Sequence, residues 1–493
     1  MSKIQLVYVT NVITRKKAFN QQELSFFILV KNLSYAKKID VFWAGEDGVW
    51  HTLPAMYHST PQRDKEYWQV KTTYHPASDK ALPGDIQFAL RYQALGGEFW
   101  DNNQGLNYCS QANSGIKVAD DYSVLNIGFE EGLDDGQKLV PITVAVNQSL
   151  HAEKVTVHWT TDDWKHTKIA RCYLKRGRTL SRKDNEPQVW KGLLNIGHAF
   201  RLQYRICCES ADQILWDNNF GRNYSAKHRP LSVLILNLHC YQEDNQDYKF
   251  SQIAKAINQL DVDIVCFQEV AEPWNDGKGD WASNSANIIN DRLESPYHLH
   301  TDWSHLGFDR YREGVAILSR YPIVNHDSRY VSDSENPYNI HARKVAMAQI
   351  AVPRIGLINF FSCHISWWND GFSEQFENLC KWADSEHTGH IKSTMLCGDF
   401  NIKAGSRGYE LVVDSNEYED QFLAASSPEV FEEIFGNRRP HWQRYLVNDH
   451  RIDYIFMNKS SELRVTSGRV LFTEQDYGSV SDHIGYLMTF EPK

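Results

Sequence analysis

The peptide WDNN occurs twice, at 100–103 and at 216–219, and each copy runs into the same tail, WDNNQGLNY ending at Tyr108 and WDNNFGRNY ending at Tyr224. The offset of 116 residues is the size of a small domain, so the first half of the chain reads as one domain used twice. The repeat reaches well beyond the motif. FFILVKNLSYAKKIDVFW (26–43) aligns with PITVAVNQSLHAEKVTVHW (141–159), and IQFALRY (86–92) with HAFRLQY (198–204). An acidic turn carrying a tryptophan follows the first pair in both copies, AGEDGVW ending at Trp50 and TTDDW ending at Trp164.

These segments are short, rich in β-branched and aromatic residues, alternate with period two, and are broken by Asp-Gly and Gly-Gly. Strands of that length and spacing predict a β-sandwich of about 100 residues per copy. The stretches 109–121 and 225–230, rich in Ser, Asn and charge, read as linkers. Trp43 and Trp159 fall out of phase with exposed positions and read as core. The combination of a Lys-rich stretch after an Asn, a strand, an acidic turn with Trp and a closing WDNNxGxNY is similar to the family-21 carbohydrate-binding modules of starch- and glycogen-binding type. The resemblance implies an α-glucan polysaccharide as partner, with sugar contacts at Trp50, Asn103 and Asn107 in the first copy and at Trp164, Asn219 and Asn223 in the second. The chemistry is suitable: glucose offers flat C–H faces to indole rings and hydroxyls to amides and carboxylates. The bland alternatives stay open here, core packing for any single Trp and a backbone-capping turn for WDNN.

From Leu231 the texture changes. LSVLILNLH (231–239) and VDIVCFQEV (262–270) are buried-strand runs, and between them Phe250, Ile253, Ile257 and Leu260 recur at helical spacing. VAILS, LINFFSCHIS, TMLCGDFN, RIDYIF and IGYLMTF continue an alternation of apolar strands with helices, which predicts a layered α/β domain. Polar residues sit where these strands end: Asn237, Glu269, His364, Asp399 with Asn401, Asp453, and Asp482 with His483. Their order resembles the endonuclease/exonuclease/phosphatase superfamily, and the resemblance spans 231–493. It implies a deoxyribonuclease-like four-layer α/β sandwich and Mg²⁺-dependent phosphoester hydrolysis, with Mn²⁺ as the alternative ion. In that frame Glu269, Asn237 and Asp482 hold the metal. His483 is general base or phosphate partner, oriented by Asp453, and Asp399 and Asn401 position water and phosphate. Glu313 and His364 match the extra acid–histidine pair of the deoxyribonuclease and sphingomyelinase branches. RIDYIF is unlike the Trp-x-Asp-Arg pattern associated with inositol phosphatases. The expected organisation is two all-β sandwich modules at 1–112 and 118–228 followed by the catalytic domain at 231–493.

Charge qualifies the choice of substrate. Residues 231–493 carry 23 Lys and Arg against 38 Asp and Glu, a net charge of −15, leaving +5 for the first half. An acidic catalytic half argues against a broad phosphate-tracking groove for nucleic acid, although a metal site recruits anions locally. The nine cysteines show no CxxC spacing and read as free thiols in a reducing compartment. The first residues, MSKIQLVYVTNVITRKK, lack an apolar stretch of signal length, and no apolar run approaches bilayer-spanning length, so a cytoplasmic location is expected. Two glucan-binding modules raise local substrate concentration for whatever follows them. The economical expectation is a phosphoesterase acting on phosphate carried by, or associated with, an α-glucan. The rivals are a DNA or RNA endonuclease merely localised by its modules, and a catalytically silent glucan-binding scaffold.

Overall fold

The computed structural model describes residues 2–15, 20–76, 81–175, 187–415, 417–424 and 451–493, which fall into two compact units, Met1–Arg229 and Pro230–Lys493. In the first unit both repeats fold into two-sheet β-sandwiches. One sheet of the first copy has the order Gly115–Val118, Ile4–Arg15, Asn20–Lys31, Lys65–Tyr74, Met56–Gln62. The other runs Trp50–Pro54, Lys37–Ala44, Ile86–Ala94, Gly97–Asp101, with Tyr108–Ser110 also paired to Ile86–Ala94. The second copy repeats the latter sheet as Lys168–Arg171, Lys154–Thr160, Arg201–Glu209, Ile214–Asp217, with Tyr224–Lys227 on Arg201–Glu209. Period-two alternation sends Ile39, Val41 and Trp43 inward to meet Phe88, Leu90 and Tyr92, and Trp159 is likewise buried, as its phase predicts. The stretches read as linkers are partly strand: Gly115–Val118 pairs with Ile4–Arg15, and Tyr224–Lys227 with Arg201–Glu209. Polar residues there face solvent from sheet edges, which composition alone does not distinguish from a loop.

The doubled motif builds the same turn twice. The Asp101 carboxylate accepts hydrogen bonds from the Leu6 amide at 2.9 Å and the Tyr108 hydroxyl at 2.8 Å, joining the turn to the opposite sheet. Asp217 does the same with the Asn126 amide at 2.8 Å and the Tyr224 hydroxyl at 2.9 Å. Asn102 and Asn218 each accept from the following glycine amide, both at 3.0 Å. Asn103 and Asn107 have φ of 53° and 56°, and Asn219 and Asn223 have 49° and 61°. Asparagine is among the few side chains that tolerate this left-handed region.

The two sandwiches share one core. Phe129, 7% exposed, packs edge-on against Phe27 of the first copy at 5.6 Å and against Tyr224 of the second at 4.7 Å. The Gly128 amide donates to the Tyr8 hydroxyl at 3.1 Å, and the His58 ring meets the Phe129 carbonyl at 2.9 Å. Phe129→Ala is therefore expected to cost the first unit about 3–5 kcal/mol, the range for emptying a buried aromatic site. Denaturant unfolding checks this, and a cost below about 1 kcal/mol would contradict a shared core.

The second unit stacks two six-stranded sheets. One runs His298–Gly307, Tyr311–Ser319, Ile264–Pro273, Leu231–Asn237, Gly485–Pro492, Leu463–Leu471, and the other Ile323–Tyr330, Lys344–Val352, Gly356–His364, Ile391–Asp399, Asp453–Asn458, Tyr418–Asp420. Val233, Ile235, Cys266, Phe360, Met395, Ile455 and Met488 fill the space between them. Helices Gln246–Gln259 and Ser285–Asp291 cover the outer face of the first sheet through Phe250, Ile253, Ile257 and Ile289. Helix Phe372–Glu386 covers the second through Phe376, Leu379 and Trp382. Each sheet has one parallel pair, Leu231–Asn237 with Ile264–Pro273 and Gly356–His364 with Ile391–Asp399, and each pair is bridged by one of these helices. Strands covered on both faces read as unbroken apolar runs, which is why they stood out in the sequence. The result is the four-layer α/β sandwich expected. Among the described residues no helix is long and apolar enough to cross a membrane.

Candidate functional site

The parallel pairs bring polar strand ends from both sheets to one place. Asn237, wholly buried at the end of the first strand, donates its amide to Glu269 Oε1 at 2.9 Å and to Asp399 Oδ2 at 3.1 Å. Its Oδ1 accepts from the His239 amide at 3.0 Å. Asn237 thus joins two carboxylates from different sheets, at the place where it was expected to help hold a metal. Glu269 has φ of 47°, at a break in register between Phe267 and Val270. That bulge re-aims the glutamate out of the strand's alternation. On the other sheet, GDFN divides its labour. A Cβ on Gly398 would sit 2.2 Å from the Cys363 carbonyl oxygen, so only glycine fits there. Asp399 enters the site, Phe400 is buried in the core, and the Asn401 amide N–H caps Asp399 Oδ1 at 2.8 Å. The Asn401 side chain donates to the Ile365 carbonyl at 2.9 Å.

His483 Nδ1 lies 2.8 Å from Asp453 Oδ2, and its Nε2 lies 3.8 Å from Asp399 Oδ2. Burial disfavours the imidazolium, but the Asp453 hydrogen bond and the carboxylates of Asp399 and Asp482 outweigh it and raise its pKa to about 10. His364 sits between acids, Nε2 at 3.9 Å from Glu269 and 3.8 Å from Asp399, Nδ1 at 3.6 Å from Glu313. Burial, then the charge of Arg343, nevertheless hold its pKa well below the usual imidazole value. Arg343 Nη1 reaches both His364 Nδ1 at 3.3 Å and Glu313 at 3.8 Å, and His305 lies 3.5 Å from Glu313. Burial opposes ionisation of Glu313, yet His305 and Arg343 prevail and hold it below the ordinary carboxylate value. Asp482 follows the buried Ser481 on the approach to His483. It is half exposed and lies 3.5 Å from His239, which is bound to Glu243 at 2.7 Å. His239, Glu243, His305 and Arg343 were not anticipated. The Asn237-x-His239 spacing was visible, whereas His305 and Arg343 arrive from other strands and leave no local signal.

Three groups here have the ligand types and spacing for a cation: Glu269, His364 and Asp399; Asp399, Asp453 and His483; and His239, Glu243 and Asp482. The charge balance agrees. Burial and then Glu313 raise the pKa of Glu269 to about 7, and burial and then Asp453 raise Asp399 to about 8. Carboxylates crowded in a buried space are suited to a hard divalent ion. The sign follows by linkage. Two acids with raised folded-state pKa, and an imidazole raised likewise, contribute stability that is present at low pH and lost as pH rises toward 8 and beyond. A cation competes with those protons. Saturating Mg²⁺ is therefore expected to raise the melting temperature more at pH 8 than at pH 6, measured by calorimetry. Equal shifts would contradict a site at these acids.

In the first unit, the outward face of one sheet in each sandwich carries a second arrangement. Trp100, the first letter of WDNN, is 46% exposed, lies 5.1 Å from the Phe42 ring and has Arg91 over it at 5.9 Å. In the second copy Trp216, 44% exposed, lies 4.9 Å from the His158 ring. Arg205 stands 4.7 Å from Trp216 and 5.2 Å from Trp164. Trp50 pairs with Ala44 at the far edge strand of the first copy's face and is 50% exposed. The asparagines expected at the sugar close the turn of the motif, with Asn103 exposed and Asn107 and Asn223 half-buried. Asn103 and Asn219 donate to the carbonyls of Asn107 and Asn223 at 3.1 and 3.3 Å, and Asn219 is buried. Trp100 and Trp216, which open the motif, share this outward face and were not singled out from the sequence.

Comparison with known proteins follows this division. The model of the endonuclease/exonuclease/phosphatase family matches residues 235–483. The chain belongs to that family. The model of the family-21 carbohydrate/starch-binding module matches residues 2–111. The uncharacterised protein YbhP of Escherichia coli is 27% identical over 179 residues, 34% of this chain and 66% of its own length. The mouse protein phosphatase 1 regulatory subunit 3E is 38% identical over 86 residues, 16% of this chain and 28% of its own. An endonuclease/exonuclease/phosphatase family protein from Leptotrichia buccalis is 27% identical, with a TM-score of 0.45, over 53% of this chain and 99% of that one.

Proposed function

We propose that this family member is a metal-dependent phosphoesterase held on an α-glucan by the modules at 1–112 and 118–228, with the catalytic domain at 231–493 hydrolysing a phosphoester of that glucan or of a molecule bound to it. The observation that carries the reading is the convergence of Glu269, Asp399, Asp453 and His483 from both sheets in one acidic, largely buried cluster. Glu269 is the principal Mg²⁺ ligand, and Asn237 holds it against Asp399. Asp482 is assigned, with His239, to the rim of the site. A bound divalent ion would neutralise charge on the phosphoryl oxygens.

The chain's own groups do the rest. Asp399, poised near pH 8, takes a proton from the attacking water, and Asn401 fixes the rotamer of that carboxylate. His483, kept charged by Asp453, meets the phosphoryl oxygens where negative charge develops. His364, kept neutral, donates a hydrogen bond to phosphate, and Glu313 and Arg343 hold its ring. On the modules, the exposed Trp50, Trp100 and Trp216 and the half-buried Trp164 stack on glucose rings.

A panel of phosphorylated amylopectin, plasmid DNA, RNA, sphingomyelin and inositol phosphates, each with Mg²⁺ and with EDTA, tests the reading. Fastest Mg²⁺-dependent release from the glucan supports it. Preference for plasmid DNA or RNA would replace it with a localised nuclease, and inertness on every substrate with a silent scaffold.

A further inference from the structure

The two repeats differ in how charge is arranged on the outward face. In the first copy Arg91 is neutralised, with Nη2 2.6 Å from the buried Asp40 carboxylate and Nη1 3.9 Å from Glu98. In the second copy, at the 116-residue offset, Thr156 and Cys207 stand in place of the Asp40–Arg91 pair and Ile214 in place of Glu98. Arg205 is added to that face directly across from His158, where the first copy has Ala89 across from Phe42. Among the described residues Arg205 makes no ion pair, and its buried Nε has no hydrogen-bond partner. The acids nearby are committed elsewhere: Asp163 to Arg201 at 2.8 Å and Gln203 at 3.3 Å, Glu209 to Lys154 at 2.7 Å.

What holds Arg205 is aromatic. Trp216 and Trp164 flank the guanidinium, and the turn that carries Trp164 is tied down. Asp163 and Trp164 have φ of 54° and 67°, the Trp164 amide donates to Thr160 Oγ1 at 3.2 Å, and Asp162 accepts from Thr160 Oγ1 at 2.7 Å and from the His166 amide at 3.0 Å. Indole faces fix an arginine through cation–π contact without using its N–H groups. Those remain as a planar fork matched to phosphate oxygens.

We propose that the second module recognises a phosphate monoester borne by the glucan chain, with Trp164 and Trp216 against glucose rings and Arg205 between them on the phosphate, while the first module takes neutral glucan. The inference deepens, and rests on, the reading of the chain as a glucan-directed phosphoesterase. It gives the modules a division of labour: one anchors to the polymer and the other places phosphorylated stretches beside the enzyme. A glucan is favoured over nucleic acid because the face belongs to a repeat of the starch-binding sandwich.

The test is equilibrium binding of the full chain carrying His483→Ala, so that phosphate survives the assay. The ligands are phosphorylated amylopectin, the same polymer fully dephosphorylated, and oligo(dT). The expected result is about tenfold tighter binding to the phosphorylated polymer, the scale of one charge-assisted bidentate contact. Arg205→Gln should bring that ratio to about one with neutral-polymer binding retained, and Arg91→Gln should leave it unchanged. A ratio of one in the parent chain overturns the proposal whatever the variants do. So does a ratio that survives Arg205→Gln, or oligo(dT) binding that Arg205→Gln removes. Phosphate release by the wild-type chain reads the parent hypothesis separately: release without binding preference sinks this inference alone, and preference without release sinks the phosphoesterase.

Discussion

His483→Ala is expected to lower phosphoester turnover by about 10²–10⁴-fold, the range for losing a positioned proton-bearing group. Glu269→Ala should lower it at least as much. The two losses should have different companions, because the side chains do different work. His483 is held by Asp453 at 2.8 Å and meets Asp399 only at 3.8 Å, so its removal leaves the acids of the cluster in place. The Mg²⁺-induced rise in melting temperature should survive in His483→Ala. Glu269 is bound to Asn237 at 2.9 Å and raised to about pH 7 by its surroundings, so its loss removes a ligand and relieves the crowding together. The Mg²⁺ shift should largely disappear in that variant. Initial rates and calorimetry on the same preparations separate the cases. Turnover within threefold of wild type in both would contradict the site.

Replacing Trp100, Trp164 and Trp216 together by Ala should abolish retention on amylose or glycogen. Exposed tryptophans that anchor a ligand are each worth about 2 kcal/mol, so losing the pair in one module corresponds to a weakening of about 10²–10³-fold. Trp164→Ala with Trp216→Ala should leave only the first module's weaker hold, since bivalent attachment is lost with the second site. Asn219→Ala should behave oppositely. Its amide closes the turn at the Asn223 carbonyl, so it should lower stability by about 1 kcal/mol while sparing retention in the folded chain. Retention that survives the triple variant, or is lost in a folded Asn219→Ala, would contradict the assignment of the face.

The sequence was most legible where one principle acted alone. Buried strands such as LSVLILN announce themselves because both faces are covered, and the phase of Trp43 and Trp159 placed them in the core. The ordered acids and histidines could be collected because parallel strand ends converge in this layering. WDNN was harder, since Asn and Asp serve sugars and turns with the same atoms. Only the bonds from Asp101 to Leu6 and Tyr108 reveal a joint between sheets, and only the register puts Trp100 outward on its strand. Asn237 was placed in the metal shell by the family resemblance, and the packing of two sheets is what sets its side chain between Glu269 and Asp399. The contrast between the two faces is written in the sequence as Asp40 and Arg91 against Thr156 and Cys207, with Arg205 where the first copy has Ala89, but it carries meaning only once strand pairing sets Asp40 beside Arg91 and His158 beside Arg205.

The most direct test of the central claim is release of inorganic phosphate from phosphorylated amylopectin by the purified full chain, followed with Mg²⁺, with EDTA, and with Mg²⁺ restored. The account predicts release that stops with EDTA, returns with Mg²⁺ and is absent in Glu269→Ala. Release that is indifferent to EDTA, or a chain that binds the polymer and leaves its phosphate intact while cleaving DNA, would contradict it.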